Sequence, residues 1–394
     1  MNNPSGDLMG IRVGMVGTGS FAQSFIPLFK AHPMVDSIVL CDLNPERLGR
    51  ASVEHGIEET SPSLDELCNT DVDAVAIITQ QWLHAPQAIQ ALRAGKHVYS
   101  AVPTGITIDE IAELVRTVEE TGRVYMLGET SYYYPGVLYC RERFSSGDFG
   151  EMIFSEAEYY HDFDHGLYEV ARRRGGERWL ETAGFPPMYY PTHSTSQVIS
   201  VTGAHMTGVS CQGFHDSSDD GIFRAETNVY GNTFSNETAL FRMSDGSSCR
   251  INEFRRIGHP GAVRMSLYGT RACFESGSSG SIWLMKDAGE STRLDEVLAC
   301  GGRASGRGDG TFLGVSSLHP VQRLPGEFIG LPNGHCGSHQ FLVDDFVTAC
   351  CKGHTPPNSV WDAARYAIPG IVAHQSAVRG GELLKVPDLG KGPG

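Results

Sequence analysis

A short apolar stretch, Ile11–Val16, runs directly into Gly17-Thr18-Gly19-Ser20-Phe21-Ala22 and then into a helix-patterned segment. A glycine turn alone is common, but one set between a strand and a helix marks a dinucleotide-binding βαβ unit. Gly17 permits the tight turn, Gly19 lets the backbone approach a pyrophosphate, and Ala22 lets the helix pack closely on the strand. Ser20 and Phe21 stand where the helix starts, and the free N–H groups there favour phosphate charge. Asp42 follows at the end of the second expected strand, placed to accept hydrogen bonds from both ribose hydroxyls. A carboxylate there repels a 2′-phosphate, so the expected cofactor is NAD rather than NADP.

The first third alternates strands at Ile11–Val16, Ser37–Cys41, Ala74–Ile78, His97–Tyr99 and Val124–Leu127 with helices at Phe21–His32, Ala85–Ala94 and Ile108–Thr121. Near-continuous apolar strands between helices predict a doubly wound parallel sheet. After about residue 130 a helix at Pro135–Phe144 leads into strands without intervening helices: Met152–Tyr160, Val209–Phe214, Thr227–Tyr230, Thr238–Met243, Ser248–Phe254, Val263–Tyr268 and Ala272–Glu275. Their alternating polarity predicts a large, open, mainly antiparallel sheet. Helices at His339–Cys351 and Val360–Arg379 follow, and Thr192 is expected to cap a helix running to Val201. The expected division is a Rossmann NAD-binding domain over 1–130 and a substrate-binding and oligomerisation α/β domain over 131–394.

Acidic residues outnumber basic ones, 46 to 31, for a formal charge of −15. That excludes the clustered positive charge that nucleic acid requires and argues against docking on anionic lipid. No apolar run approaches the ~20 residues of a membrane span, and the polar start lacks a secretory apolar core. Ten scattered cysteines without a C-x-x-C pair predict reduced thiols and a cytoplasmic location. No metal site is expected: His161-Asp162-Phe163-Asp164-His165 reads as a solvated loop, and glycines interrupt the helix that would align His335 with His339. Glycine, at 47 of 394 residues, exceeds the usual ~7%. Much of the excess lies between residues 277 and 337, where 300–337 reads as a mobile loop beside the substrate cleft, a lid. Its Arg307-Gly308-Asp309 triplet reads as coincidence.

The stretches IRVGMVGTGSFA, CDLNPER and AVAIITQQWLHAPQAIQALRAGKHVYSAVP resemble the Gfo/Idh/MocA oxidoreductases. The resemblance implies a nicotinamide cofactor, a carbohydrate-like substrate, and Thr79, Gln81, His84, Ala101 and Pro103 on the cofactor side. Dehydrogenases of this family carry Glu-Lys-Pro, whose lysine moves a proton, where this chain has Ala101-Val102-Pro103. Valine exchanges no proton. A branch with Glu-Val-Pro, the NAD-dependent α-N-acetylgalactosaminidases, also resembles this chain at Glu129 with Tyr133, at Tyr159-Tyr160-His161-Asp162 and at Tyr190-Pro191-Thr192-His193.

In that branch NAD is retained: oxidation at C3 acidifies C2, the C1 substituent is eliminated, water adds, and the hydride returns. The resemblance thus points to His193, Tyr159, Tyr190 and Glu129 as the catalytic set. Histidine titrates near ~6.5 and can exchange protons at neutral pH, whereas tyrosine near ~10 needs help or acts as an acid. The expected function is hydride transfer at a ring carbon of a sugar or glycoside, with redox-neutral glycoside cleavage on retained NAD preferred. The alternatives are a simple NAD-linked sugar or polyol dehydrogenase and a non-catalytic NAD- or sugar-binding sensor. A homodimer or tetramer is expected by analogy.

Overall fold

The structure, a computed structural model, describes residues 10–287, 291–301 and 310–392. Strands β1 (Ile11–Val16), β2 (Val35–Cys41), β3 (Thr60–Ser61), β4 (Ala74–Ile77), β5 (His97–Ser100) and β6 (Tyr125–Leu127) form a sheet in the order β3-β2-β1-β4-β5-β6. Every pairing in it is parallel. Strand order reverses between β1 and β4, and the glycine turn leaves the carboxyl end of β1 at that crevice, where open α/β sheets bind ligands.

The helix expected over Phe21–His32 is broken. A 3₁₀ turn at Ala22–Ser24 precedes the α-helix Ile26–Ala31. Pro27 has no N–H to give the Gln23 carbonyl, so the chain tightens before the regular helix begins.

The second sheet contains β7 (Met152–Tyr160), β8 (Met206–His215), β9 (Phe234–Met243), β10 (Ser248–Phe254), β11 (Ala262–Gly269), β12 (Ala272–Gly277), β13 (Gly280–Met285), β14 (Ser291–Arg293) and β15 (Leu384–Lys385). Their order is β14-β13-β12-β11-β7-β10-β9-β8-β15. Among the described residues only β7 and β10 run parallel; the other pairs are antiparallel. Side chains alternate between faces, and Ala157, Ile251 and Ala239, aligned in register, are buried under helices. Two residues along, the same covered face carries Tyr159, Glu253 and Glu237.

Thr227–Tyr230 is a turn, not a strand. The Asn228 amide there donates to the Ile222, Arg224 and Asn232 carbonyls, an alternative to a ladder that apolar patterning does not register. Thr192 opens the helix Thr192–Thr202 but does not cap it: Pro191 is already in the αR region, and no side chain caps that end.

Two late helices, Gly334–Lys352 and Val360–Val378, return to the first sheet. Phe346 packs edge-on against Phe29 and Tyr99, and Phe341 stacks on Tyr133. The Leu127 N–H donates to the Asn358 carbonyl at 2.9 Å, closing the edge of β6. The described part of 300–337 is not a free lid. Leu324 and Phe328 are buried, His319 Nε2 lies 2.9 Å from the Tyr133 carbonyl, and Arg323 pairs with Asp344 and Asp345. The Arg307-Gly308-Asp309 triplet lies outside the described residues.

Gly370, inside the helix Val360–Val378, shows how tightly that helix packs on the segment leading into the helix Thr192–Thr202. A Cβ there would collide with the Met188 carbonyl and the Pro191 ring. Gly→Ala inside a helix ordinarily stabilises by about 1 kcal/mol, but overpacking costs about 1–3 kcal/mol. Gly370→Ala is therefore expected to lower the melting temperature, read by calorimetry; an increase would refute this contact.

Candidate active site

The glycine turn is built as its sequence requires. Gly17 has φ +89°, and a Cβ there would collide with the Ile78 carbonyl. Beside Gly19 nothing lies within 4 Å, so the backbone is open to an approaching group. Among the described residues the N–H groups of Gly19, Ser20, Phe21 and Ala22 have no acceptor within the protein. Buried or cleft amides of this kind seek a partner, and several together favour an anion.

Asp42 is buried and braces the turn. Its Oδ2 accepts from the Thr18 N–H at 2.9 Å and from Thr18 Oγ1 at 3.0 Å, while Oδ1 accepts from the Asn44 N–H at 2.9 Å. At the adjacent strand end, Thr79 Oγ1 donates to Gln87 at 2.6 Å and Gln81 begins the turn that leads into the helix His84–Arg93. His84 spans two loops, with Nδ1 2.8 Å from the Pro103 carbonyl and Nε2 3.2 Å from the Thr79 carbonyl. Burial lowers its pKa to about 4, so the ring is neutral and joins the two loops. Ala101 and Val102 are buried and present no proton.

Glu129 follows β6 and is fully buried. Its Oε1 accepts from the Ser131 N–H at 2.9 Å and faces His193 Nδ1 at 2.7 Å. Burial alone would keep both neutral; their mutual charge and hydrogen bond outweigh it, holding Glu129 below its ordinary range and His193 above its own. The pair's stabilisation is lost at acid pH as Glu129 protonates and at higher pH as His193 deprotonates. With Nδ1 engaged, His193 has Nε2 free for exchange.

Tyr190 and Tyr159 frame that imidazole edge-on, with ring centroids 5.3 and 5.2 Å away. Tyr159 comes from the covered face of β7, and its Oη lies 2.7 Å from His161 Nδ1. Burial raises Tyr159 to about 12, against the opposing pull of Arg255, and lowers His161 to about 4. Tyr159 is thus a proton-bearing donor rather than a base. Burial also raises Tyr190.

The four residues expected from sequence, Glu129, Tyr159, Tyr190 and His193, stand together. The supporting residues His161, Glu253 and Arg255 were not among them. Glu253 accepts from Ser194 Oγ at 2.5 Å and from Arg255 Nη2 at 3.1 Å, and the Arg255 guanidinium sits 4.9 Å from the Tyr159 ring centroid. Burial raises Glu253 to about 7, with Arg255 opposing. His161 had a visible signal, since it is two residues from Tyr159 and therefore on the same face. Glu253 sits in parity with Cys249 and Ile251, which identifies it only once the covered face is known.

Known proteins share this frame. The profile described as "Oxidoreductase family, NAD-binding Rossmann fold" matches residues 11–129. A glycosyl hydrolase family 109 protein of Shewanella amazonensis is 33% identical over 198 residues, 48% of this chain and only 44% of that protein. Glycosyl hydrolase family 109 protein 1 of Shewanella sp. (strain ANA-3) is 30% identical over 413 residues, covering 97% of this chain and 85% of its own length. The chain belongs to glycosyl hydrolase family 109, within the Gfo/Idh/MocA oxidoreductases. Among solved structures, levoglucosan dehydrogenase in complex with NADH and levoglucosan superposes with a TM-score of 0.74 at 17% identity, over 96% of this chain and 100% of that one. A scyllo-inositol dehydrogenase from Lactobacillus casei with bound NAD(H) and scyllo-inositol gives 0.68 at 16% identity, over 95% and 99%. At such identities these two share the fold. The profile matched over residues 11–129 is an NAD-binding one, and the open glycine turn of this family 109 protein fits that cofactor. No helix among the described residues is long and apolar enough to cross a membrane.

Replacing Glu129 with Gln removes the charge that raises His193 and leaves the burial that lowers it. The His193 pKa, followed by imidazole NMR titration, is expected to fall below its wild-type value; an unchanged pKa would separate the two residues.

Proposed function

We propose that this family 109 protein acts on a sugar or glycoside at a ring carbon and cleaves a glycosidic bond without net oxidation, NAD being retained. The observation that carries this reading is the buried His193–Glu129 pair, framed by Tyr159 and Tyr190, at the carboxyl edge of the parallel sheet, where the neighbouring Ala101-Val102-Pro103 loop offers no proton carrier. When bound, NAD supplies a reversible hydride acceptor. The amides of Gly19, Ser20, Phe21 and Ala22, on the turn made by Gly17, would hold its pyrophosphate and Asp42 its ribose, with Thr79, Gln81, His84, Ala101 and Pro103 forming the wall beside it.

His193 Nε2 takes the proton of the reacting sugar hydroxyl. Glu129, on the other nitrogen, fixes the tautomer and offsets the charge the ring gains. Tyr159 keeps its proton at neutral pH and, backed by His161, donates to the oxygen that leaves or enters at the anomeric carbon. Tyr190 offers an aromatic face beside His193. The relatives named glycosyl hydrolases favour cleavage over net dehydrogenation.

The open face of the second sheet carries Phe154 beside Tyr268 and Tyr160 stacked on Phe254, which supports pairing with a second copy. All ten cysteines are free, in keeping with a reducing compartment such as the cytoplasm.

Purified protein showing NAD absorbance is expected to cleave an aryl glycoside without added cofactor. Steady NADH accumulation with free sugar would instead identify a dehydrogenase, and the lack of any turnover across a glycoside and sugar library a sensor. His193→Ala is expected to lower kcat by about 1,000-fold while NAD stays bound. Because His193 is the base and Glu129 raises it, kcat/KM should rise with pH through a value above the ordinary ~6.5. Asp42→Ala is expected to weaken NAD binding by about tenfold, measured by calorimetry.

A further inference from the structure

His335 and His339, separated in sequence by a glycine-broken turn, meet in space. His335 Nδ1 lies 2.7 Å from His339 Nε2. The His339 ring stacks on Phe25 with centroids 4.4 Å apart, and both imidazoles stand edge-on to Phe21 of the glycine motif. Three successive residues, His335, Cys336 and Gly337, hold positive φ of 49°, 50° and 86°. For the first two this is an unfavourable conformation, which a chain keeps only where its surroundings impose it.

The surroundings do impose it. Ser338 Oγ lies 2.7 Å from the Thr130 carbonyl and 2.6 Å from the His335 carbonyl, tying the turn to the residue that follows Glu129. A Cβ at Gly334 would stand 2.5 Å from the His339 ring, and one at Gly337 3.0 Å from the Gly314 carbonyl. His335 is exposed; its ring meets Phe21 of the glycine motif while its turn is tied to Thr130, so it stands between the cofactor turn and the residue that follows Glu129.

The proton positions follow from one buried atom. His339 is 2% exposed, and its Nδ1 has no partner among the described residues. An orphaned N–H is rarer in proteins than an orphaned acceptor, so Nδ1 is the bare nitrogen and His339 carries its proton on Nε2. That proton is donated to His335 Nδ1. The other nitrogen of a neutral His335, Nε2, then bears the remaining proton. Partial desolvation by the atoms packed around its ring and the His193 charge lower His335 to about 4, and burial and His335 lower His339 to about 3, so both rings are neutral at neutral pH.

From this geometry we infer that His335 is a substrate-binding residue whose Nε2–H donates a hydrogen bond to a hydroxyl or carbonyl oxygen of the sugar, with His339 as the positioning residue that fixes its tautomer. The inference rests on reading the cleft as a sugar site. A neutral imidazole N–H polarises an oxygen that gains negative charge without surrendering its own proton, which complements His193, the group that does exchange one. Phe25 and Phe21 keep the pair oriented.

Imidazole ¹⁵N NMR on the full-length protein tests the tautomer independently of turnover. His335, identified by loss of its signals in His335→Ala, should show Nε2–H and no titration between about pH 5 and 8. In His339→Phe, which retains the stacking on Phe25, His335 should populate both tautomers. A protonated or Nδ1–H His335 at neutral pH would overturn the proposal. On a glycoside turned over by the wild type, His335→Ala should lower kcat/KM by about 100-fold. NAD content should be unchanged, and His335→Gln, which restores a neutral N–H, should recover part of the loss. His335→Ala within twofold of wild type would also overturn it. A wild type that turns over no sugar defeats the reading of the cleft instead, and the NMR result then decides the tautomer alone.

Discussion

Glu129 is wholly buried, and an isolated carboxylate in that position would take up a proton. It stays ionised because His193, brought by the helix Thr192–Thr202, meets it at 2.7 Å, and because the Ser131 N–H meets the same oxygen. Removing either partner of such a buried pair typically costs about 3–5 kcal/mol, since the other is left uncompensated. The pair therefore fixes how the end of β6 sits against the helix Thr192–Thr202. Tyr190 stands just before that helix, and Ser194 carries the arrangement on to Glu253 and Arg255.

Around this contact, proton affinities diverge. His193 is raised by its neighbour, while His84, His161 and His339 are lowered by burial and His335 by partial desolvation and the His193 charge. Five imidazoles in one region thus separate into one that exchanges protons at neutral pH and four that serve as fixed donors or acceptors. Tyr159, raised to about 12, belongs with the fixed group. The division arises from which ring faces a carboxylate and which faces apolar side chains or carbonyls.

Much of this was legible in the sequence. The parallel strands are continuous apolar runs, and burial on both faces leaves such runs almost no other arrangement. β1, β7 and β10 end where their patterns end. The errors are local. Pro27 interrupted a helix whose apolar spacing looked continuous, and Asn228 built a turn from side-chain bonds in a stretch with strand-like composition. At the site, Tyr159 and His161 were related by simple alternation. Glu253 and Arg255 depended on the register of β10 against β7, and the His335–His339 contact depended on positive φ in residues that are not glycine. Pairings of that kind join distant segments and leave no periodic trace.

The edge of β6 is closed by the Asn358 carbonyl and an isolated bridge between Met126 and Ser359. Phe29 and Tyr99 of the cofactor-binding half are covered by Phe346, from the same late part of the chain. During synthesis, then, the nucleotide-binding sheet emerges long before the segment that completes it. Until that segment leaves the ribosome, the nascent half carries an unpaired strand edge and a bare aromatic surface, the features through which chains associate wrongly. The interval in which this protein is most vulnerable to aggregation is thus set by gene order, by how far downstream residues 341–359 are encoded.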